Sequence, residues 1–240
     1  MGIEVAQSKA VRINDLHEKG VDTSVEANPT RGSLDGIPVI HAFKRNQRGN
    51  RRDDGNPLIY ALKGRNGYSI TPFWKTQIMR RAKQILEKVQ SDLQGFDLCL
   101  AIPSSSSFCN EFSSLVAGIA QVDILASDFL RKKNIGEILE DFRGGDRKVR
   151  PGQKKPLQTL IDALEKDDQN TVFQAKKVNT RIRTLFDAFT TCGECPDVTG
   201  KRILIVDDII STGSSVQSIR RILCNELGAE MACVSFLSDV

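Results

Sequence analysis

Two adjacent carboxylates, Asp207 and Asp208, follow an apolar run and precede a turn of small residues, Ser211 to Ser215. The apolar run predicts a buried strand, and open α/β sheets bind their ligands at the carboxyl ends of such strands. Backbone N–H groups and hydroxyls of the turn can surround a phosphate at the start of the next helix, where the helix dipole adds attraction. Gly213 permits a close backbone approach. The pattern predicts an anion site beside two acids.

Two carboxylates would repel a bare phosphate, so the acids must hold a different part of the ligand. Sugar hydroxyls and Mg²⁺ are the groups that carboxylates bind in this way. A ribose 5-phosphate meets both requirements, because its phosphate fits the turn while its 2′- and 3′-hydroxyls reach the acids. The alternative is an ordinary helix cap after a strand, with both aspartates solvated.

The segment from Arg202 to Ser215 resembles the 5-phosphoribosyl-1-pyrophosphate (PRPP) signature of type I phosphoribosyltransferases, in which an apolar strand precedes two acids and a Thr-Gly phosphate loop. The resemblance implies that Asp207 and Asp208 are catalytic residues. They would hold the ribose hydroxyls and bind Mg²⁺ indirectly, through PRPP and water. The residues implied to bind the 5′-phosphate are Ser211, Thr212, Gly213, Ser214 and Ser215.

The wider layout is similar to the ComF-like branch of that family. Leu62-Lys63-Gly64, the strand end at Ala101 to Ser106 and the segment Arg183 to Phe189 each match a region of those proteins. The resemblance implies a pyrophosphate side formed by Lys63, Ser104, Ser105 and Ser106. The chain departs from the branch in lacking its N-terminal four-cysteine zinc module, and Phe108 to Phe112 contains no arginine where the family has an arginine-rich run.

The activity implied is transfer of phosphoribose from PRPP to an unidentified nitrogenous acceptor, with release of pyrophosphate. Two alternatives stay open. The neutral, serine-rich pyrophosphate loop favours a non-catalytic protein that senses PRPP or a nucleotide. The basic stretch that contains Arg48, Arg51 and Arg52 favours an effector that contacts nucleic acid, in DNA uptake or in anti-phage defence. The sequence leaves the oligomeric state open, with a homodimer as one candidate.

Composition sets the broad class. The 240 residues are 40% hydrophobic and carry a net charge of +4, which is ordinary for a globular domain. We expect no transmembrane helix and no secretory signal, and therefore a cytoplasmic protein. The spacing of Cys192 and Cys195 favours two reduced thiols in a turn, with an intermolecular metal site or a redox pair as alternatives.

Alternating strands and helices predict an α/β fold, a doubly wound and mostly parallel sheet of the type I phosphoribosyltransferase kind. We expect an N-terminal hood-like extension over residues 1–56 and a core over residues 57–240, with a large insertion at 134–180. Within the first 35 residues we expect a short helix and irregular chain. The predicted strands are Ile37 to Phe43, Phe96 to Ile102, Val122 to Ala126, Thr184 to Thr190, Arg202 to Asp207 and Met231 to Leu237. The predicted helices are Trp74 to Leu93, Phe112 to Ala120, Leu157 to Leu164 and Ser214 to Leu227.

Overall fold

A computed structural model describes residues 1–46, 56–104, 106–145 and 148–238. The β-strands are β1 Gly2–Val5, β2 Ala10–Asn14, β3 Val21–Asp22, β4 Thr30–Leu34, β5 Ile37–Arg45, β6 Ser69–Ile70, β7 Leu98–Ala101, β8 Asp123–Ile124, β9 Leu130–Lys132, β10 Phe189–Thr191, β11 Arg202–Ile210 and β12 Glu230–Ser238. The α-helices are α1 Pro57–Leu62, α2 Pro72–Glu87, α3 Gln90–Leu93, α4 Phe108–Ala120, α5 Ile135–Gly144, α6 Pro151–Leu164 and α7 Ser214–Arg220. Two 3-10 turns, Ala175–Lys177 and Arg183–Leu185, lie before β10, and the π-helical segment Arg221–Glu226 continues α7.

The central sheet has seven strands in the order β3-β5-β12-β11-β7-β8, with β4 also paired to β5. Five of them, β5, β12, β11, β7 and β8, run parallel to one another. The remaining two, β3 and β4, are antiparallel to β5 at one edge. The predicted α/β class with a mostly parallel sheet is therefore confirmed.

Strand β11 lies in the middle of the sheet and is buried on both faces. Leu204 and Val206 belong to the core that also contains Ile78 of α2 and Phe112 of α4. Ile203 and Ile205 belong to a second core, which includes residues of α5, α6 and α7. Because apolar side chains alternate between two helical layers, the sheet is doubly wound, and the carboxyl end of β11 is held rigidly from both sides.

The segment expected as an insertion, residues 134–180, lies between the strands of a separate antiparallel ribbon, β9 and β10. Lys132 of β9 pairs with Phe189 of β10. Helix α5 begins with a capping box formed by Asn134 and Glu137. Ile138, Leu157, Phe173 and other apolar residues of this segment are buried in the second core. The described part of the segment is thus a packed lobe whose two ends are fixed by the ribbon.

The expectation of a short helix and irregular chain before residue 35 was wrong. This region forms β1, β2, β3 and β4, and β1 pairs with β2 so that Ile3 lies opposite Ile13. Val11 and Ile13 are buried while Arg12 between them is exposed, which is the period-two pattern of a strand. Through β3, β4 and β5, part of residues 1–56 joins the central sheet. The division of the chain at residue 56 stays a prediction.

Several element boundaries also differ from expectation. The strand expected over Thr184 to Thr190 is only β10, Phe189–Thr191, because residues 183–185 form a 3-10 turn. The helix expected over Trp74 to Leu93 is divided into α2 and the short α3. Strand β11 continues past the acid pair to Ile210, where it borders β12, whereas its pairing with β7 stops at Val206.

Among the described residues, no helix combines the length and apolarity needed to cross a membrane. The six cysteines all lie in the described part of the chain and are free thiols. Cys192 and Cys195 are half-buried, and the Cys192 thiol donates to the carbonyl of Asp128 at 3.1 Å. The choice between two reduced thiols in a turn, an intermolecular metal site and a redox pair stays a prediction.

Candidate functional site

The acid pair, Asp207 and Asp208, lies on β11 just beyond the last residue that pairs with β7. Asp208 is buried and Asp207 is half-buried. The backbone N–H of Asp208 donates to the Asp207 carboxylate at 2.9 Å. The structure therefore brings both predicted acids to the carboxyl edge of the parallel strands, where ligands of open α/β sheets bind.

Burial determines the protonation of Asp207. It raises the pKa of this carboxyl to about 7, and the neighbouring charge of Asp208 adds to the rise. Lys63, the backbone N–H of Asp208 and Lys132 act in the opposite direction. A carboxyl with this pKa is partly protonated at neutral pH, so the pair can accept hydrogen bonds from a polyol and also donate one to it.

Lys63 reaches the acid pair from a distant part of the chain. It follows α1, and its ammonium forms an ion pair with the carboxylate of Asp208. The two side chains are only 10% and 4% exposed. The structure thus brings the predicted lysine to the predicted acids, although in this state it contacts an acid. Its role at a leaving group stays a prediction.

The small-residue turn, residues 211–215, follows β11 directly. Gly213 has φ of +72° and caps α7, a conformation that favours glycine. A Cβ at this position would lie 2.4 Å from Cδ2 of Leu34, so a larger residue would also have to displace the Leu34 side chain. Thr212 donates to the hydroxyl of Ser214 at 3.3 Å. The turn has the glycine conformation and the hydroxyl groups that the sequence pattern predicts.

The serines after β7 lie beside the start of α4. Ser106 accepts a hydrogen bond from the N–H of Phe108 at 3.3 Å, and Ser104 is exposed. Ser105 lies outside the described residues. One turn later, the Cys109 thiol donates to the carbonyl of Val206 at 3.4 Å, which places the start of α4 next to the acids. Contact of these serines with a pyrophosphate stays a prediction.

Cys109, Asp207 and Asp208 offer sulfur and oxygen atoms within 4.8 Å of one another. This trio does not fit direct binding of a soft metal. Burial raises the pKa of the Cys109 thiol, which therefore keeps its proton, and Lys63 already neutralises Asp208. Carboxylate oxygens do suit hydrated Mg²⁺. The acid pair fits an indirect role in which a magnesium-bound sugar phosphate makes the contact.

Lys63, Arg65, Lys132 and Lys176 form a group of four mutually interacting cations, of which the sequence analysis assigned only Lys63 to the site. Lys63 and Lys132 act directly on Asp207 of the acid pair. Lys132 and Lys176 are exposed residues, and partial desolvation together with the charges of Arg65 and Lys63 lowers the pKa of both. Like charges this close repel one another, and the acid pair offsets part of this repulsion. We call these four residues the cation group.

Arg183 joins the helical lobe to the small-residue turn. The residue is 5% exposed, and its guanidinium donates to the carbonyls of Val178 at 2.8 Å and of Lys176 at 3.3 Å. It also approaches the hydroxyl of Ser211 at 3.5 Å. The sequence pointed to Arg183 only through a resemblance and gave it no role.

One cavity lies apart from this edge of the sheet. A cavity of about 510 Å³ opens at the opposite, amino ends of β11 and β12, with Arg202 and Glu230 in its lining. The predicted nucleic-acid contacts Arg48, Arg51 and Arg52 lie outside the described residues.

Comparison with known proteins identifies one part of the chain. Residues 136–239 match the family model of the phosphoribosyl transferase domain. This segment contains the acid pair and the small-residue turn, as well as Lys176 and Arg183, whereas Lys63 and Lys132 precede it. Together with the mostly parallel sheet, the match confirms the predicted fold class. Membership of the ComF-like branch stays a prediction.

No curated protein matches the chain. Two solved structures are similar, the adenine phosphoribosyltransferases of Leishmania tarentolae and Leishmania donovani, each with 9% sequence identity and a TM-score of 0.40. The alignment covers 99% of this chain in both cases, and 95% and 87% of the respective Leishmania chains.

Proposed function

We propose that the chain binds PRPP together with Mg²⁺ and transfers its phosphoribosyl group to a nitrogenous acceptor. One observation carries the proposal: the acid pair and the glycine turn lie at one strand end, beside a cation group from three other segments. Acids suit the ribose hydroxyls, the turn suits one phosphate, and the cations suit a second, more highly charged phosphate group. PRPP carries these three features on a single sugar. A cytoplasmic location remains part of the proposal.

The residues divide the ligand among them. Asp207 and Asp208 accept hydrogen bonds from the 2′- and 3′-hydroxyls, and residues 211–215 hold the 5′-phosphate. The cation group and Ser104 to Ser106 face the pyrophosphate. When the sugar reaches Asp208, its hydroxyl replaces the ammonium of Lys63, which then turns to the pyrophosphate. Exchange of one partner for another keeps the buried carboxylate satisfied throughout.

Stabilisation of the leaving pyrophosphate is the main catalytic contribution of this site. The sugar passes through an oxocarbenium-like transition state while negative charge collects on the leaving group. Cations that are already in place stabilise this charge without reorganisation, and the acid pair fixes the orientation of the ribose. Bound Mg²⁺, held through PRPP and water near Asp207 and Asp208, would supply additional neutralisation of the leaving group.

Titration calorimetry with PRPP and Mg²⁺ tests the proposal. We expect Asp207→Asn and Asp208→Asn each to lower PRPP affinity at least about tenfold, because each loses charge-assisted hydrogen bonds of roughly 1.5–3 kcal/mol. Asp162→Asn is the matched control, since Asp162 is exposed on α6 and accepts a hydrogen bond from Gln158 of the same helix. Equal affinity in the acid-pair variants and the control would contradict PRPP binding at this site.

A non-catalytic PRPP-binding protein is the second candidate. The first turn of α4 carries Glu111, an acid that pairs with Lys75 at 2.5 Å, at the side where the pyrophosphate would leave. Release of pyrophosphate in the presence of nucleobases and amines distinguishes the two functions. An enzyme releases pyrophosphate and loses this release on Asp208→Ala, whereas a sensor binds PRPP but releases no pyrophosphate, with or without the substitution.

A further inference from the structure

Arg183 fixes one short piece of backbone with several hydrogen bonds. Besides the bonds from one terminal nitrogen to Val178 and Lys176, its Nε donates to the same Val178 carbonyl at 3.3 Å. Its other terminal nitrogen faces Ser211 in the small-residue turn. A single planar group thus joins the 3-10 turn that carries Lys176 to the turn that would hold a phosphate.

Burying the Arg183 guanidinium costs free energy, and its hydrogen bonds to the backbone must offset that cost. Burial lowers the pKa of Arg183, and a buried charge is tolerated only when its donors are satisfied. A lysine could supply the charge but not the fork of fixed donors that holds two carbonyls at once. The arrangement therefore fixes the geometry between the lobe and the turn.

We propose that Arg183 is a positioning residue that fixes the backbone of the 3-10 turn carrying Lys176 relative to residues 211–215, so that the two segments together bind a sugar with phosphates at both ends. This inference rests on the proposed PRPP site. The site would then bind the 5′-phosphate in the turn and the pyrophosphate at Lys176 as the two ends of one ligand. A sugar monophosphate such as ribose 5-phosphate occupies the turn but has no second phosphate group for Lys176 to bind. The lobe thereby selects PRPP over its hydrolysis product.

Titration calorimetry with PRPP and with ribose 5-phosphate, both in Mg²⁺, tests the selection. We expect Lys176→Ala to lower PRPP affinity about tenfold, the value of one charge-assisted contact, and to change ribose 5-phosphate affinity less than about twofold. Arg183→Lys should produce the same selective loss. Because Arg183 acts through Lys176, the double variant Arg183→Lys/Lys176→Ala should lose little more than either single variant.

Lys177→Ala is the matched control, since Lys177 is exposed and neighbours Lys176 in the same 3-10 turn. It should keep the affinity of the wild type for both ligands. Equal losses for the two ligands, or additive losses in the double variant, would overturn the positioning role even if PRPP binds. Should Arg183→Lys fail to fold, an unchanged ligand preference in Lys176→Ala overturns it as well. Wild-type protein that binds neither ligand would instead refute the PRPP site itself.

Discussion

The acid pair with its small-residue turn and the cation group form two sides of one site, but the chain assembles them differently. The first side comes from residues 207–215, a single strand end and turn. The second side comes from the α1–β6 connection, from β9 and from the 3-10 turn of the lobe. Local sequence determines the first, whereas long-range packing determines the second. Loss of tertiary order should therefore disrupt the proposed pyrophosphate contacts of the cation group before it disrupts the proposed phosphate contacts of the small-residue turn.

The ion pair between Lys63 and Asp208 joins the two sides, so breaking it gives the largest expected effect. Lys63→Met keeps the stem of the side chain but leaves a buried carboxylate without its cation, and we expect a loss of about 3 kcal/mol in the free energy of unfolding. Denaturant unfolding measures this loss. Lys63→Met/Asp208→Asn should recover most of it, because neither charge then remains buried.

Lys75→Met is the control for that experiment. It removes the ion pair of Lys75 with Glu111, in which the side chains are 35% and 40% exposed. Pairs this exposed contribute roughly 0–1 kcal/mol. A loss in Lys63→Met no larger than in Lys75→Met would show that the two sides of the site are not coupled through Asp208.

The contrast also explains what the sequence could and could not predict. Strand β11 and Gly213 were predictable because each depends on neighbouring residues: a continuous apolar run, and a turn that requires glycine. Lys132 and Lys176 were visible only as members of charged stretches. Their approach to the acids depends on the pairing of β9 with β10, which lie more than 50 residues apart in the sequence.

The N-terminal strands were missed for a similar reason. β4 pairs with β5 across a short connection, and β1 with β2, yet the alternation of apolar residues covers only a few positions in each. Short strands of this kind are defined by their partners more than by their own composition. Lys63 was predicted as a site residue from a resemblance, and this role stays a prediction, whereas its ion pair with Asp208 was visible only in the tertiary structure.

The pKa of Asp207 gives the second prediction. Folding raises this pKa from its ordinary value to about 7, so between these two values the folded protein binds a proton that the unfolded chain lacks. Stability therefore falls as pH rises through this window, and between pH 5 and pH 8 we expect a loss of about 2 kcal/mol from this group. Unfolding in denaturant at both pH values measures the change.

Asp207→Asn should remove that contribution, because an amide has no proton to lose. The variant is then expected to be more stable than the wild type at pH 8 and to show a flatter dependence on pH. If the wild type and Asp207→Asn respond equally to pH, the buried acid is not the group that titrates, and the first side of the site is less desolvated than its geometry indicates.

The smallest expected effect concerns the second side alone. Lys132→Ala removes one member of the cation group, and we expect PRPP affinity to fall roughly fivefold in low salt, about 1 kcal/mol. The difference from the wild type should shrink as salt rises, since screening weakens the Lys132 contact, which only the wild type makes. The stability of the free protein should stay the same or rise slightly, because fewer like charges are held together.

Arg131→Ala, on the same strand but paired with Glu137 at 2.6 Å, is the control. A loss of stability in Lys132→Ala without a loss of affinity would mean that this lysine supports the ribbon and not the ligand.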